Sequence, residues 1–246
     1  MNKELTKFLK ELKKKGTKER AEGEKKYMKS PYKFYGVLSA DSHKVAKDFY
    51  ILNKEISKTE LIQIIKELWN SEWQDEKTLA IRLSALYIDR FTNKDLPIFK
   101  KWLDECVGWG HTDEICSHVT GELLLRYPII KKDINSWTDS SVMWTRRASI
   151  LSYIQSVRRE RKYFFDIFRN CKKLMHEKDF FIRKVIGWIL REMSKKFPED
   201  TIRFVKENED KLSGLSKREA LKNIKWFVCI LDQLKEEKKK WLHKKF

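Results

Sequence analysis

In the stretch WGHTDEICS (109–117) a tryptophan opens a run of helical character, and the same outline returns four more times. It recurs in WQDEKTLAI (73–81), WTRRASILS (144–152), FIRKVIGWI (181–189) and LSKREALKN (215–223). The leading residues Trp73, Trp109, Trp144, Phe181 and Leu215 are spaced by 36, 35, 37 and 34 residues. A period in this range, with room for two short helices per unit, is the signature of an α-solenoid. Each helix pair cannot bury its apolar face alone, so neighbours stack into a curved array with a concave surface. The sequence therefore predicts an all-α solenoid of stacked antiparallel helix pairs.

The rest of the chain agrees. In LTKFLKEL, Leu5, Phe8, Leu9 and Leu12 follow the i, i+3, i+4, i+7 spacing of one helical face. Ser57 and Glu60 form a capping-box pair ahead of a stripe made by Leu61, Ile64, Ile65, Leu68 and Trp69. Similar stripes run near 76–90, 97–106, 112–126, 142–157, 162–175, 179–196, 200–209 and 216–234. Only 8 Gly and 4 Pro interrupt 246 residues, and most fall between stripes, as at Gly16, Pro31, Gly36, Pro97, Gly108, Pro128, Pro198 and Gly214. No stretch reads as a β-hairpin. The repeat weakens before residue 57, as expected of a terminal cap, and the domain is expected to span 1–230 with a Lys-rich extension over 231–246.

Fifty-four Lys and Arg face 36 Asp and Glu, a net charge of +18. With 9 Trp, 14 Phe and 8 Tyr the chain is too rich in large apolar residues for disorder. No apolar run approaches the roughly 18 residues that cross a bilayer, and the amino terminus lacks the apolar core of a signal peptide, so a cytoplasmic protein is expected. The basic amphipathic helices at the start are needed to cap the solenoid, which argues against a membrane surface. The charge instead predicts a polyanionic partner, most simply nucleic acid. Cys106, Cys116, Cys171 and Cys229 form no CxxC pair, and His111 and His118 lack the further ligands of a zinc site. Reduced core thiols, partly exposed histidines and no metal are the expectation.

Three residues after each leading residue come Glu76, Thr112, Arg147, Lys184 and Arg218, and one later Lys77, Asp113, Ala148, Val185 and Glu219. In a solenoid such positions form a row, so Lys77, Arg147, Lys184 and Arg218 are predicted to line a basic concave face at successive helix starts. The macrodipole disfavours cations at a helix amino end. A row of them there is the pattern of a phosphate-binding track, since helix starts and Arg or Lys side chains both bind phosphate. Asp113 is the exception, one turn after Trp109 on the same face. A carboxylate in a basic groove repels DNA unless its charge has a use; the plainer reading is an acid stabilised by the helix dipole. The leading tryptophans equally read as packing residues. Trp188 lies deeper in its helix, beside Gly187, whose lack of a side chain allows another backbone close, with Ile186 and Ile189 toward the core.

The segments KYMKSPYKFYGV (26–37), ELWNSEWQDEKTLAI (67–81), WGHTD (109–113), MWTRRASIL (143–151), DFFIRKVIGWILRE (179–192) and LSKREALKNIK (215–225) resemble the DNA alkylation repair family. These are HEAT-like-repeat DNA glycosylases acting on cationic alkylpurines, and the similarity covers about residues 1–228. The resemblance implies that Asp113 is the catalytic aspartate, Trp109 and Trp188 the active-site tryptophans, Arg147 the groove arginine and Tyr27 the tyrosine bordering the cleft. One departure is visible: the family often reads Trp-Asp-x-Val-Asp where this chain has Trp109-Gly110-His111-Thr112-Asp113.

The implied chemistry suits these residue types. Alkylation at a ring nitrogen makes the purine a cationic leaving group, and breaking the glycosidic bond builds positive charge on the sugar. A carboxylate stabilises that charge and orients water. Indole faces attract a cation by roughly 0.5–2 kcal/mol each. Most glycosylases flip the base, whereas the resemblance implies contact with deoxyribose and backbone while the lesion stays in the duplex. The expectation is a monomeric, monofunctional enzyme without cofactor, releasing 3-methyladenine or 7-methylguanine from double-stranded DNA in base excision repair. A non-catalytic HEAT-like protein that binds branched or damaged DNA is the alternative, and a protein–protein scaffold is disfavoured by the basic row.

Overall fold

The computed structural model describes residues 3–224, and helix follows helix along them. In order these are α1 (Lys3–Lys14), α2 (Lys18–Met28), α3 (Ser39–Leu52), α4 (Lys58–Trp69), α5 (Gln74–Leu86), α6 (Leu96–Glu105), α7 (Trp109–Ile115) and α8 (Gly121–Arg126). Then come α9 (Lys131–Ser136), α10 (Met143–Leu151), α11 (Ile154–Arg159), α12 (Phe164–Leu174), α13 (Phe180–Ser194), α14 (Pro198–Glu207) and α15 (Gly214–Ala220). Among the described residues, extended pairing is confined to isolated bridges between Gly16 and Val37 and between Lys33 and Trp73. The fold is the all-α helical repeat that the periodicity predicts. No helix among the described residues is long and apolar enough to cross a membrane.

The leading residues sit where the period places them. Trp73 is the N-cap of α5, Trp109 the first residue of α7, and Trp144, Phe181 and Leu215 the second residues of α10, α13 and α15. Read from sequence as one repeat domain, the chain divides into two compact units, residues 1–148 and 149–246, with the boundary inside α10. The expected extension at 231–246 and Cys229 lie outside the described residues.

In the first unit α5 is the centre, with α3, α4 and α7 packed on it. Leu61, Ile64, Ile65, Leu68 and Trp69 of α4 are all buried, as their single stripe requires. The Ser57 hydroxyl caps α4 by accepting from the Glu60 amide at 3.2 Å. Leu5, Phe8 and Leu12 of α1 are buried too, and Phe8 meets Phe49 of α3 edge-on at 5.1 Å. From Trp109 to Arg126 the chain is one helical run whose middle, Cys116–Thr120, is a π-helical turn in which the Gly121 amide donates to the Cys116 carbonyl.

The second unit is built on α13, which packs against α11, α14 and α15. Asp179 caps it, accepting from the Phe181 amide at 2.7 Å. Ile182, Val185, Ile186, Ile189, Leu190 and Met193 form its buried face. A Cβ on Gly187 would lie 2.6 Å from the Glu219 Cβ and 3.0 Å from the Ser216 carbonyl oxygen, so the glycine is what lets α15 approach so closely.

Candidate active site

Asp113 occupies the last full turn of α7 and faces Arg147 of α10. The Arg147 Nε donates to Asp113 Oδ1 at 2.8 Å and its Nη2 to Oδ2 at 2.9 Å, a bidentate fork-to-carboxylate pair. Arg147 is almost wholly buried, at 3% side-chain exposure, while Asp113 keeps 18%. Burial raises the Asp113 carboxyl above its ordinary range, and the Arg147 guanidinium partly opposes that shift. A desolvated carboxyl group held by a planar cation is thus presented from the leading helix of a repeat.

Trp109, one turn earlier on α7, is partly exposed. Tyr27, in the last turn of α2, meets it edge-on, with ring centroids 5.9 Å apart and planes at 86°. Tyr27 itself is 74% exposed. The structure therefore brings together Tyr27, Trp109, Asp113 and Arg147. Trp188, Lys184 and Arg218 belong to the second unit. There Trp188 is half-buried and Arg218 exposed, and Lys184 donates to Glu219 at 3.0 Å. Arg191 shares the same carboxylate, and these partners hold Glu219 below the usual range, Lys184 foremost.

Lys77 departs from the expected row. It is buried, its ammonium donates to the Trp69 carbonyl, and it lies 4.9 Å from the Trp69 ring centroid and 4.7 Å from that of Tyr32. The reason is its phase on α5: one residue later than Glu76, it turns toward α4 and away from solvent. Arg147 likewise spends its fork on Asp113 inside the protein. The expectation of partly exposed histidines also fails at His111, which is buried with its Nε2 within 3.1 Å of Thr78 Oγ1 and 2.9 Å of Gln74 Nε2. Burial pushes its pKa down to about 3, so the ring is neutral. Cys106, Cys116 and Cys171 are buried thiols, and among the described residues no cluster of three His, Cys, Asp or Glu is placed to hold a metal.

The two unusual residues of the Trp-Gly-His-Thr-Asp segment each have a local partner. A Cβ on Gly110 would lie 2.5 Å from the Met28 Cε, so the end of α2 uses the space that a side chain would fill. Thr112 is fully buried and its hydroxyl donates to the Gly108 carbonyl at 3.0 Å. Met28 was invisible to periodicity, since α2 has no buried residues and no apolar stripe.

No curated protein is a significant match to the chain. Among solved structures it is similar to one described as a predicted DNA alkylation repair enzyme from Enterococcus faecalis, at 22% identity and a TM-score of 0.78, covering 86% of this chain and 97% of that one. It is also similar to AlkD2 from Streptococcus mutans, at 20% identity and a TM-score of 0.58, over 74% and 88% of the two chains. At these identities the likeness is one of fold. The family description that matches the sequence itself, over residues 8–224, is that of the DNA alkylation repair enzymes, and the chain belongs to that family.

Proposed function

We propose that the protein is a monofunctional alkylpurine DNA glycosylase, hydrolysing the N-glycosidic bond of cationic N3- or N7-alkylated purines in duplex DNA and leaving an abasic site. The observation that carries this reading is the largely buried Asp113 carboxyl, held through both oxygens by the Arg147 guanidinium and flanked by the partly exposed Trp109 ring. A fixed anion in a site of low dielectric stabilises the oxocarbenium-like charge that grows as the base leaves. The same oxygens orient the incoming water. Trp109, braced by Tyr27, offers a ring to the cationic nucleotide from beside the carboxylate. No deep polar pocket is required if the lesion stays stacked, and the enzyme is proposed to act as a monomer, without base flipping and without cofactor. Lys184 and Arg218 are the proposed phosphate contacts of the second unit, with Trp188 the second active-site indole.

The test is release of 7-methylguanine from methylated duplex DNA by the wild type and by Asp113→Asn. Release by the wild type, cut at least a hundredfold in the variant, supports the reading, and equal release by both sinks it. One observation favours a second reading. Both Asp113 oxygens are taken by Arg147, as in a purely structural ion pair, and a non-catalytic protein that binds branched or damaged DNA needs no more. Tight binding of such DNA with no base release by the wild type decides for that reading.

A further inference from the structure

We propose that Lys77 is a positioning residue, which fixes the start of α7 from below and so places Trp109 and Asp113, without touching DNA. The inference rests on the glycosylase reading. Its basis is the box in which the ammonium lies. Trp69 supplies both a carbonyl acceptor and a ring face, and Tyr32 supplies a second ring. Trp69 is itself fixed: it stacks on Trp102 at 4.5 Å and 9°, and its indole N–H donates to Glu105 at 2.6 Å. The neutral His111 ring of α7 rests against the same two aromatics, 5.6 Å from Trp69 and 6.4 Å from Tyr32.

The box touches the loop before α7 as well. The Cys106 thiol in that loop, which burial raises to about 12, lies within the field of the Lys77 charge. Thr112 closes back on Gly108. Lys77 thus shares its two aromatic partners with His111 of the turn that carries Trp109, and His111 and Thr112 lie between Trp109 and Asp113. The carbonyl at the end of α4 is one of the acceptors a helix leaves without an internal partner, and here the ammonium satisfies it. A methylene chain of the same length would fill the space and leave that carbonyl and both rings without their cation. Small shifts in a reacting constellation are costly: about 1 Å of misplacement removes on the order of a hundredfold in rate.

The experiment compares Lys77→Met with the wild type in single-turnover release of 7-methylguanine at saturating protein, and in affinity for a duplex containing a tetrahydrofuran abasic analogue across a salt series. The expected result is a fall in release of about tenfold to a hundredfold, with affinity within about threefold and an unchanged slope of log affinity on log salt. Arg218→Gln is the control for a phosphate contact and lowers that slope by about one. A slope lowered by about one for Lys77→Met, or release at the wild-type rate, overturns the proposal. Lys77→Gln keeps a donor for the Trp69 carbonyl and is expected to recover part of the rate, which covers the case in which Lys77→Met fails to fold; no recovery then overturns the proposal. Amide exchange over 109–115 reads the placement of α7 independently of activity. If the wild type releases no base the glycosylase reading fails, whereas unchanged exchange in Lys77→Gln and Lys77→Met removes the positioning claim alone.

Discussion

Arg147 reaches Asp113 across 34 residues of chain and engages both of its oxygens, at 2.8 and 2.9 Å, from a nearly fully buried position. This pairing ties the leading helix of one repeat to that of the next and opposes the upward pull of burial on the carboxyl at the centre of the candidate site.

Arg147→Lys is expected to lower base release by about tenfold to a hundredfold, because an ammonium cannot reproduce a bidentate fork. The pH dependence gives the finer check. Burial already raises the Asp113 carboxyl and Arg147 opposes the rise. Arg147→Met therefore moves the acid limb of the pH–rate profile to higher pH, since the carboxylate then protonates sooner as pH falls. An acid limb that stays in place separates the guanidinium from the titration of Asp113.

His111 predicts how stability responds to acid. Its ring is held neutral, with a pKa pushed from 6.5 to about 3 mainly by burial, with Lys77 and Arg82 adding to the effect. Unfolded chains take up the proton below about 6.5 while the folded protein does not, so the contribution is present above that pH and lost as pH falls toward 3. The slope is about 1.4 kcal/mol per pH unit. Urea titrations at pH 7.5, 6 and 5 should show His111→Gln losing much less stability over that range than the wild type.

Gly187→Ala is expected to destabilise the protein by about 1–3 kcal/mol. The added carbon meets the Ser216 backbone at 3.0 Å and the Glu219 Cβ at 2.6 Å, and neither is the yielding end of a flexible side chain. Separation of α13 from α15 would also strain the Lys184 and Arg191 contacts to Glu219. Denaturant midpoints measure the loss, and a midpoint equal to the wild type's removes the close-packing account.

Thr112→Val restores the residue often found at this place in the family motif. It removes the hydroxyl that donates to the Gly108 carbonyl inside the core and is expected to cost about 1 kcal/mol. Thermal unfolding read beside base release separates stability from function. The rate should fall only if the α7 start moves with it.

Much of the architecture is legible in the period of the leading residues, because a helix start must fall where a repeat begins. Trp109, Asp113 and Arg147 come together because one period separates the elements that carry them. The row reading fails at Lys77 for a related reason. It sorts residues by position in the repeat, while a shift of one residue on a helix turns a side chain by 100° and carries it from the surface into the core. The helix α3 buries Val45, Ala46 and Phe49 at helical spacing, a stripe hidden by its short length and polar flanks, whereas α2 and α9 have no stripe at all. No residue of α2 is buried, and α9 has only Ile134, so no pattern can form. The Gly110–Met28 fit joins residues far apart in sequence and depends on a missing side chain, which no spacing rule detects.

The π-helical turn at Cys116–Thr120 has a consequence for how this helix can change over evolutionary time. Trp109 and Asp113 lie ahead of it, and Leu123 and Leu124, fully buried, lie beyond it. A widened turn absorbs one extra residue without breaking the helix. Deleting one residue there returns an uninterrupted α-helix with both halves still facing as they do now. Inserting another residue instead turns one half by about 100° against the other, leaving either the aspartate or the leucines facing the wrong way. Within 116–120 a deletion should therefore be tolerated far better than an insertion, although no residue there is assigned to the chemistry.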